Sequence, residues 1–241
     1  MKRFFVVIDN KFIYEQFTKI FQKRGFLVDY YCSPKSDAIF REEIESSKIV
    51  PIILKNNYNH LIDSGYVLGM SCHSKQVFPR ELVTSIRCIN IHPGFNPYNR
   101  GWFPQVFSII NKLPIGVTIH VMDEEIDHGD IIVQEEMETL PDDRSFEVYK
   151  RILNKEIQLL EKYIDVIVSN RYTTIKPSQE GNYNSIQDYH NICKIDLAKK
   201  VTMKEAIDYL RAMTHPPYEN SYFIDENGDK IFISINLKKN P

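Results

Sequence analysis

This 241-residue chain has few cysteines, little glycine and no surplus of positive charge. Its four cysteines, Cys32, Cys72, Cys88 and Cys193, are scattered and form no CxxC pair. That spacing speaks against a zinc ribbon or a disulfide frame and for free thiols in a reducing compartment. A formal net charge of −2 and a pI near 6.4 leave no electrostatic footprint for nucleic acid. No apolar run approaches the length of a membrane span, and the short one after Met1-Lys2-Arg3 stops at Asp9-Asn10, too early for a signal peptide. The expected location is the cytoplasm, with no membrane partner. The first strand–helix turn, Asp9-Asn10-Lys11-Phe12, contains no glycine. A glycine-rich dinucleotide cradle is therefore excluded there, and no P-loop occurs elsewhere. Any nucleotide phosphates must be held by side chains or by other turns.

Apolar residues make up 43% of the chain, enough for a sizeable core. Phe4–Ile8 is a continuous apolar run of the kind that forms a buried parallel strand, and Ile13, Phe17, Ile20 and Phe21 follow at helical spacing up to Gly25. Phe26–Cys32, Ile49–Leu54, Tyr66–Met70 and Cys88–Ile91 read as further strands, with a helix around Phe40–Ile44. A helix is expected over Trp102–Asn111, and Gly116–Val121 and Ile131–Glu136 alternate like strands. A long helix begins at Asp142 or Asp143 as N-cap and carries Phe146, Tyr149, Leu153, Ile157, Leu160, Ile164 and Ile167 on one stripe. Strand and helix in alternation predict an α/β, Rossmann-like fold with a mostly parallel sheet, which binds ligands beyond the carboxyl ends of its strands. Composition changes after residue 170. Residues 1–170 are expected to form the catalytic domain, and 171–241 a C-terminal extension with a short helix (Lys204–Met213) and a β-hairpin around Asp225-Glu226-Asn227-Gly228-Asp229.

Asn90-Ile91-His92-Pro93, followed 35 residues after His92 by Asp127-His128-Gly129-Asp130, offers an amide, an imidazole and a carboxylate. Taken singly, each of these residue types is more often structural. Asn90 and His92 sit two apart, so on a strand both side chains leave one face near its end. The interval to Asp127 accommodates a helix and a return strand, so the three can converge. Together these groups can take a proton, steady a developing oxyanion and hold the base in place. His92 suits the first role at neutral pH and Asn90 the second. Asp127 would orient the imidazole or a proton-relaying water; Asp130 is the rival carboxylate.

The segments Asn90–Gly94, Phe95-Asn96-Pro97-Tyr98-Asn99-Arg100-Gly101, Gly116-Val117-Thr118-Ile119-His120 and Asp127-His128-Gly129 resemble the N10-formyltetrahydrofolate-dependent formyltransferases in order and spacing. Among these the chain looks like the sugar N-formyltransferases, and Asn90 to Trp102 resembles the dTDP-4-amino-4,6-dideoxyhexose branch in particular. One departure is Gly94, where much of the superfamily has Ser. The resemblance implies that N10-formyltetrahydrofolate is the co-substrate and that a nucleotide-linked amino sugar accepts the formyl group. It implies the catalytic set Asn90, His92 and Asp127, no metal, and products that feed surface polysaccharide such as lipopolysaccharide O-antigen.

It also implies that the loop Ser71–Gln76 borders both pterin and sugar, with His73, Lys75 and Gln76 toward the sugar nucleotide and Met70 and Cys72 toward the folate. Pro93, Gly94, Asn96 and Arg100 would line the substrate side, and Trp102, His120 and Ile126 the folate side. Near the C-terminus, Arg211 would suit a pyrophosphate and Tyr218 a stacked base. The apolar alternation of the hairpin suggests a homodimer surface. A 3-amino or UDP-linked amino sugar as acceptor, hydrolysis of formyltetrahydrofolate, and a non-catalytic nucleotide-sugar binding protein on a retired scaffold are the alternatives. A retired site is expected to have lost one of Asn90, His92 or Asp127.

Overall fold

The computed structural model describes residues 3–239. Strand β1 (Arg3–Ile8) shows why the first apolar run is continuous. Phe4, Val6 and Ile8 enter the larger of two core clusters and Phe5 and Val7 the other, so the strand is covered on both faces. Helix α1 (Lys11–Lys23) is capped by the Asn10 side chain, which accepts from the Ile13 N–H at 3.1 Å. Strand β2 (Leu27–Cys32) returns parallel to β1 and leads to α2 (Arg41–Glu45). The apolar stretch expected as a strand over 49–54 yields only β3 (Val50–Pro51), because Pro51 has no donor for a ladder and the chain turns into α3 (Leu54–Asp63).

The next strand, β4 (Gly69–Cys72), lies later than the expected 66–70 and is followed by α4 (Arg80–Ser85) and β5 (Cys88–His92). Beyond come a short β6 (Arg100–Gly101), α5 (Pro104–Asn111), β7 (Ile115–Val121), β8 (Ile131–Met137) and the long α6 (Ser145–Val168). The N-cap of α6 is Arg144 rather than an aspartate; Asp143 instead accepts from the Leu140 N–H and pairs with Arg151.

The main sheet runs β3-β2-β1-β4-β5-β7-β8. Its first five strands are parallel, and β7 and β8 are antiparallel additions. Strand order reverses between β1 and β4, so the crevice at their carboxyl ends is where such a sheet receives ligands. Helices α1 and α6 pack together over one face and α3 and α4 over the other.

The segment after residue 170 is woven into this body. Strand β9 (Tyr183–Asn184) pairs with β6, and helix α7 (Ile186–Cys193) occupies a stretch that showed no sequence period. Helix α8 (Met203–Met213) packs on α5 and α6, and Tyr189, Ala212 and Met213 join the larger core. Strands β10 (Ser221–Ile224) and β11 (Lys230–Ile233) form the expected antiparallel hairpin, which leaves Ile224, Ile231 and Phe232 exposed. No described helix is long and apolar enough to cross a membrane.

Candidate active site

Strand β5 carries Asn90 and His92 to the crevice, on one face as the two-residue period requires. On its flanks, β4 pairs Cys72 with Ile91, which sets His73 next to the strand end, and β7 pairs His120 with Asn90. Asp127 comes from the β7–β8 turn. Its φ of +52° is a left-handed conformation that aspartate tolerates better than most residues.

The Asp127 carboxylate is the meeting point. It accepts from the Asn90 amide at 2.7 Å and from the Gly101 N–H at 3.0 Å. His92 Nδ1 lies 3.4 Å from Oδ2, the oxygen that faces Gly101, His120 Nε2 lies 3.7 Å from Oδ1, the oxygen that faces Asn90, and the two imidazoles meet edge to face. Burial alone would raise the carboxyl's pKa, but the adjacent imidazoles and the Gly101 N–H hold it well below the usual carboxylate range. Burial pushes His92 below 6.5, and the charge of Asp127 opposes the shift without cancelling it. His92 is thus a neutral base at pH 7, only 3% exposed, and its Nε2 has no hydrogen-bond partner among the described residues. A Cβ on Gly94 would fall 2.3 Å from that Nε2. The ring therefore occupies the space that a serine would fill, which gives a physical reason for the departure at this position.

The loop 93–102 is held from behind. Thr118 Oγ1 donates to Gly94 O and accepts from the Asn96 N–H, while the Asn96 amide donates to Asp127 O at 2.8 Å. Asn99 is buried and accepts from Asn182, Asn184 and Asn111. Arg100 reaches Glu180 at 2.8 Å. Gly101, at φ +90°, passes so close to Asn184 O that a Cβ would sit 2.4 Å from it. On the β4 side, buried Asp9 accepts from the Ser33 and Lys75 N–H groups and so ties the turns after β2 and β4 together.

The remaining expected contacts divide. Ile126, Trp102 and Tyr218 are exposed near or beyond the crevice, Pro93 is half-buried, and Lys75 Nζ donates to Ser36 Oγ. Met70 and Cys72 place their side chains wholly in the core, because both point to the α1–α6 face, so they offer a ligand only backbone. The Gln76 amide is engaged by the backbone of Ile52 and Leu54. Arg211 is turned inward onto Asp208, Leu140 O and Asp143 O, where it fastens α8 to the α6 entrance instead of facing a pyrophosphate. Asp130 is exposed and meets Thr174, away from His92.

Thr118, Glu180, Tyr149 and Glu156 were not legible as site residues. Their partners are distant in sequence and no local pattern marks them. A cavity of about 390 Å³ beside the Asp127 turn is lined by Pro97, Arg100, His128, Asp130 and Glu180. A larger one of about 510 Å³ lies at the β2 edge and holds none of these groups. Glu125, His128 and Glu180 bring ligand atoms within 4.8 Å of one another, but His128 is paired with Asp123 and Glu180 with Arg100, so they form an ion-pair cluster.

Residues 72–164 match the formyl transferase family, and residues 188–239 match the N-formyltransferase dimerization C-terminal domain. A dTDP-4-amino-4,6-dideoxyglucose formyltransferase of Mycobacterium tuberculosis is 44% identical over 173 residues, 72% of this chain and 74% of that protein. The chain belongs to the sugar N-formyltransferase family. A 4-N formyltransferase structure from Francisella tularensis shares 62% identity, with a TM-score of 0.96 over 99% of this chain and 98% of that one. A sugar N-formyltransferase from Shewanella shares 37% identity, with a TM-score of 0.93 over the full length of both chains. The mostly parallel sheet and the C-terminal helix and hairpin are thus features of this sugar N-formyltransferase fold.

Proposed function

We propose that this sugar N-formyltransferase moves the formyl group of N10-formyltetrahydrofolate to the 4-amino group of dTDP-4-amino-4,6-dideoxyglucose. The observation that carries the reading is the Asp127 carboxylate gripping Asn90 beside a neutral His92 whose Nε2 has no partner among the described residues, in a chain so similar to a 4-N formyltransferase and to a dTDP-4-amino-4,6-dideoxyglucose formyltransferase.

The neutral sugar amine attacks the formyl carbon. The carbonyl oxygen becomes an oxyanion and receives an N–H of Asn90, whose amide nitrogen carries two and gives one to Asp127. With Nδ1 turned to Asp127, Nε2 of His92 accepts the proton that leaves the amine. The folate N10 departs with a proton, giving tetrahydrofolate and the formamido sugar. Because residue 94 has no side chain, the space beside it is taken by the His92 imidazole itself.

His73, Lys75 and Tyr218 are the side chains we assign to the sugar nucleotide, and Trp102 and Ile126 to the folate. We place the division between catalytic domain and extension near residue 170. We also propose a homodimer formed through the exposed Ile224, Ile231 and Phe232, a cytoplasmic location, and products used in surface polysaccharide, with no nucleic-acid partner.

Tetrahydrofolate release, followed with a panel of dTDP- and UDP-linked amino sugars, tests this. Turnover dependent on dTDP-4-amino-4,6-dideoxyglucose is the expected result. Release without any amine would mean hydrolysis, and release only with a 3-amino sugar would move the acceptor position.

A further inference from the structure

Helix α6 buries Glu156 completely, in the layer that also takes Ile152, Leu159 and Leu160. A carboxylate in such a place is destabilising unless it does something a hydrocarbon cannot. Its one ion-pair partner among the described residues is His73, whose Nε2 lies 2.8 Å from Oε2, while Oε1 has no partner there. Burial raises the pKa of this carboxyl and His73 opposes the rise. His73 is the first residue beyond β4, in a left-handed turn at φ +51°, level with the end of β5 and hence with His92. Its second nitrogen lies 3.4 Å from the Tyr149 hydroxyl, which accepts from Asn10 at 3.1 Å. The Tyr149 ring in turn contacts His215, and His215 contacts Tyr218. Glu156 therefore fixes the imidazole at Nε2, and the Tyr149 hydroxyl lies beside Nδ1. The turn it belongs to carries Lys75 to the crevice, with its N–H on Asp9 and its Nζ on Ser36.

We infer that Glu156, whose side chain is fully buried, is a positioning residue for the amino-sugar nucleotide, acting through His73 and the 73–75 turn. This rests on the function proposed above. A group that only supported the fold would alter stability, whereas one that sets the presentation of His73 alters substrate use in a protein that remains folded.

The test uses the full chain, N10-formyltetrahydrofolate and dTDP-4-amino-4,6-dideoxyglucose, with Glu156→Gln, Glu156→Met, His73→Asn and the double variant Glu156→Gln/His73→Asn. Glu156→Gln keeps the shape and removes the charge. It is expected to raise KM for the sugar nucleotide by about tenfold, with KM for the folate within about twofold of wild type. Glu156→Met should be worse. The double variant should be no worse than His73→Asn alone, because both changes remove the same link. Unchanged KM in Glu156→Gln, a rise in the folate KM instead, or multiplying effects in the double variant would each overturn the inference. If the wild type itself fails to use the amino sugar, the underlying functional reading has failed; if only the variants behave like wild type, the role of Glu156 alone has.

Discussion

Asp127 and Glu156 are both largely enclosed carboxylates set beside imidazoles, and burial raises the pKa of each, yet the net shifts run in opposite directions, down for Asp127 and up for Glu156. Asp127 sits on a turn and accepts from the Asn90 amide and the Gly101 N–H, with the imidazoles of His92 and His120 beside it, and these neighbours hold its pKa low. Glu156 sits in the middle of a helix with one imidazole, and its pKa rises. Glu156 is the more deeply buried of the two and has the fewer polar neighbours, and both differences push its pKa up relative to that of Asp127. On the proposed mechanism, the carboxylate that steadies the base is the one with N–H donors, and the one that holds His73 has a single partner.

The sharpest way to break this comparison is to remove its reference base. His92→Asn is expected to lower kcat by about a thousandfold or more while dTDP-sugar binding changes by less than about threefold. A near-normal rate in that variant would remove His92 from the mechanism. Asp127→Asn should cost about a thousandfold in kcat, because an amide N–H would then face the donors of Asn90 or Gly101. If Asp130→Asn proved the more damaging of the two, the wrong carboxylate has been placed at the centre; it is expected to cost less than about threefold. Gly94→Ala falls between these. A Cβ 2.3 Å from Nε2 must displace the ring, and a loss of about tenfold to a hundredfold in kcat is expected with little change in Tm. Retention of full activity there would mean the ring position is not needed.

The pH dependence sharpens the contrast with the least perturbation. The folded pKa of His92 lies below its ordinary 6.5, so the acid limb of kcat/KM should have its midpoint below 6.5, and a midpoint above that value would contradict the burial of a neutral base. The same shift has a stability sign. Below pH 6.5 the unfolded chain takes up this proton before the folded one, so stability falls as pH falls through that window and is unaffected by this group above it. His92→Asn should flatten that part of the curve in a denaturation series.

The sequence was most readable where chemistry and periodicity coincide. The run Phe4–Ile8, the two-residue step from Asn90 to His92 and the turn bearing Asp127 all stand where they were expected. Strand ends were less readable: Pro51 cut short an apolar stretch, and a capping position near Asp143 fell to Arg144 because the aspartate is held by Leu140 and Arg151. Helix α7 was overlooked although Ser185 and Asp188 form a capping box, a signal that the sequence does contain. Glu156 had no such signal. A glutamate beside Ile157 on a helix gives no sign of facing inward, and its partner is 83 residues away.

The union of β6 with β9 carries a practical lesson for redesign. The loop that follows Asn90 and His92 has its ladder partner at Tyr183 and Asn184, and its buried Asn99 is held by Asn182 and Asn184. Segments 95–102 and 180–184 therefore constitute one exchangeable cassette. A chimera that imports the loop from a relative without its matching tail inherits the wrong floor, and acceptor preference should transfer between homologues when the two pieces travel together.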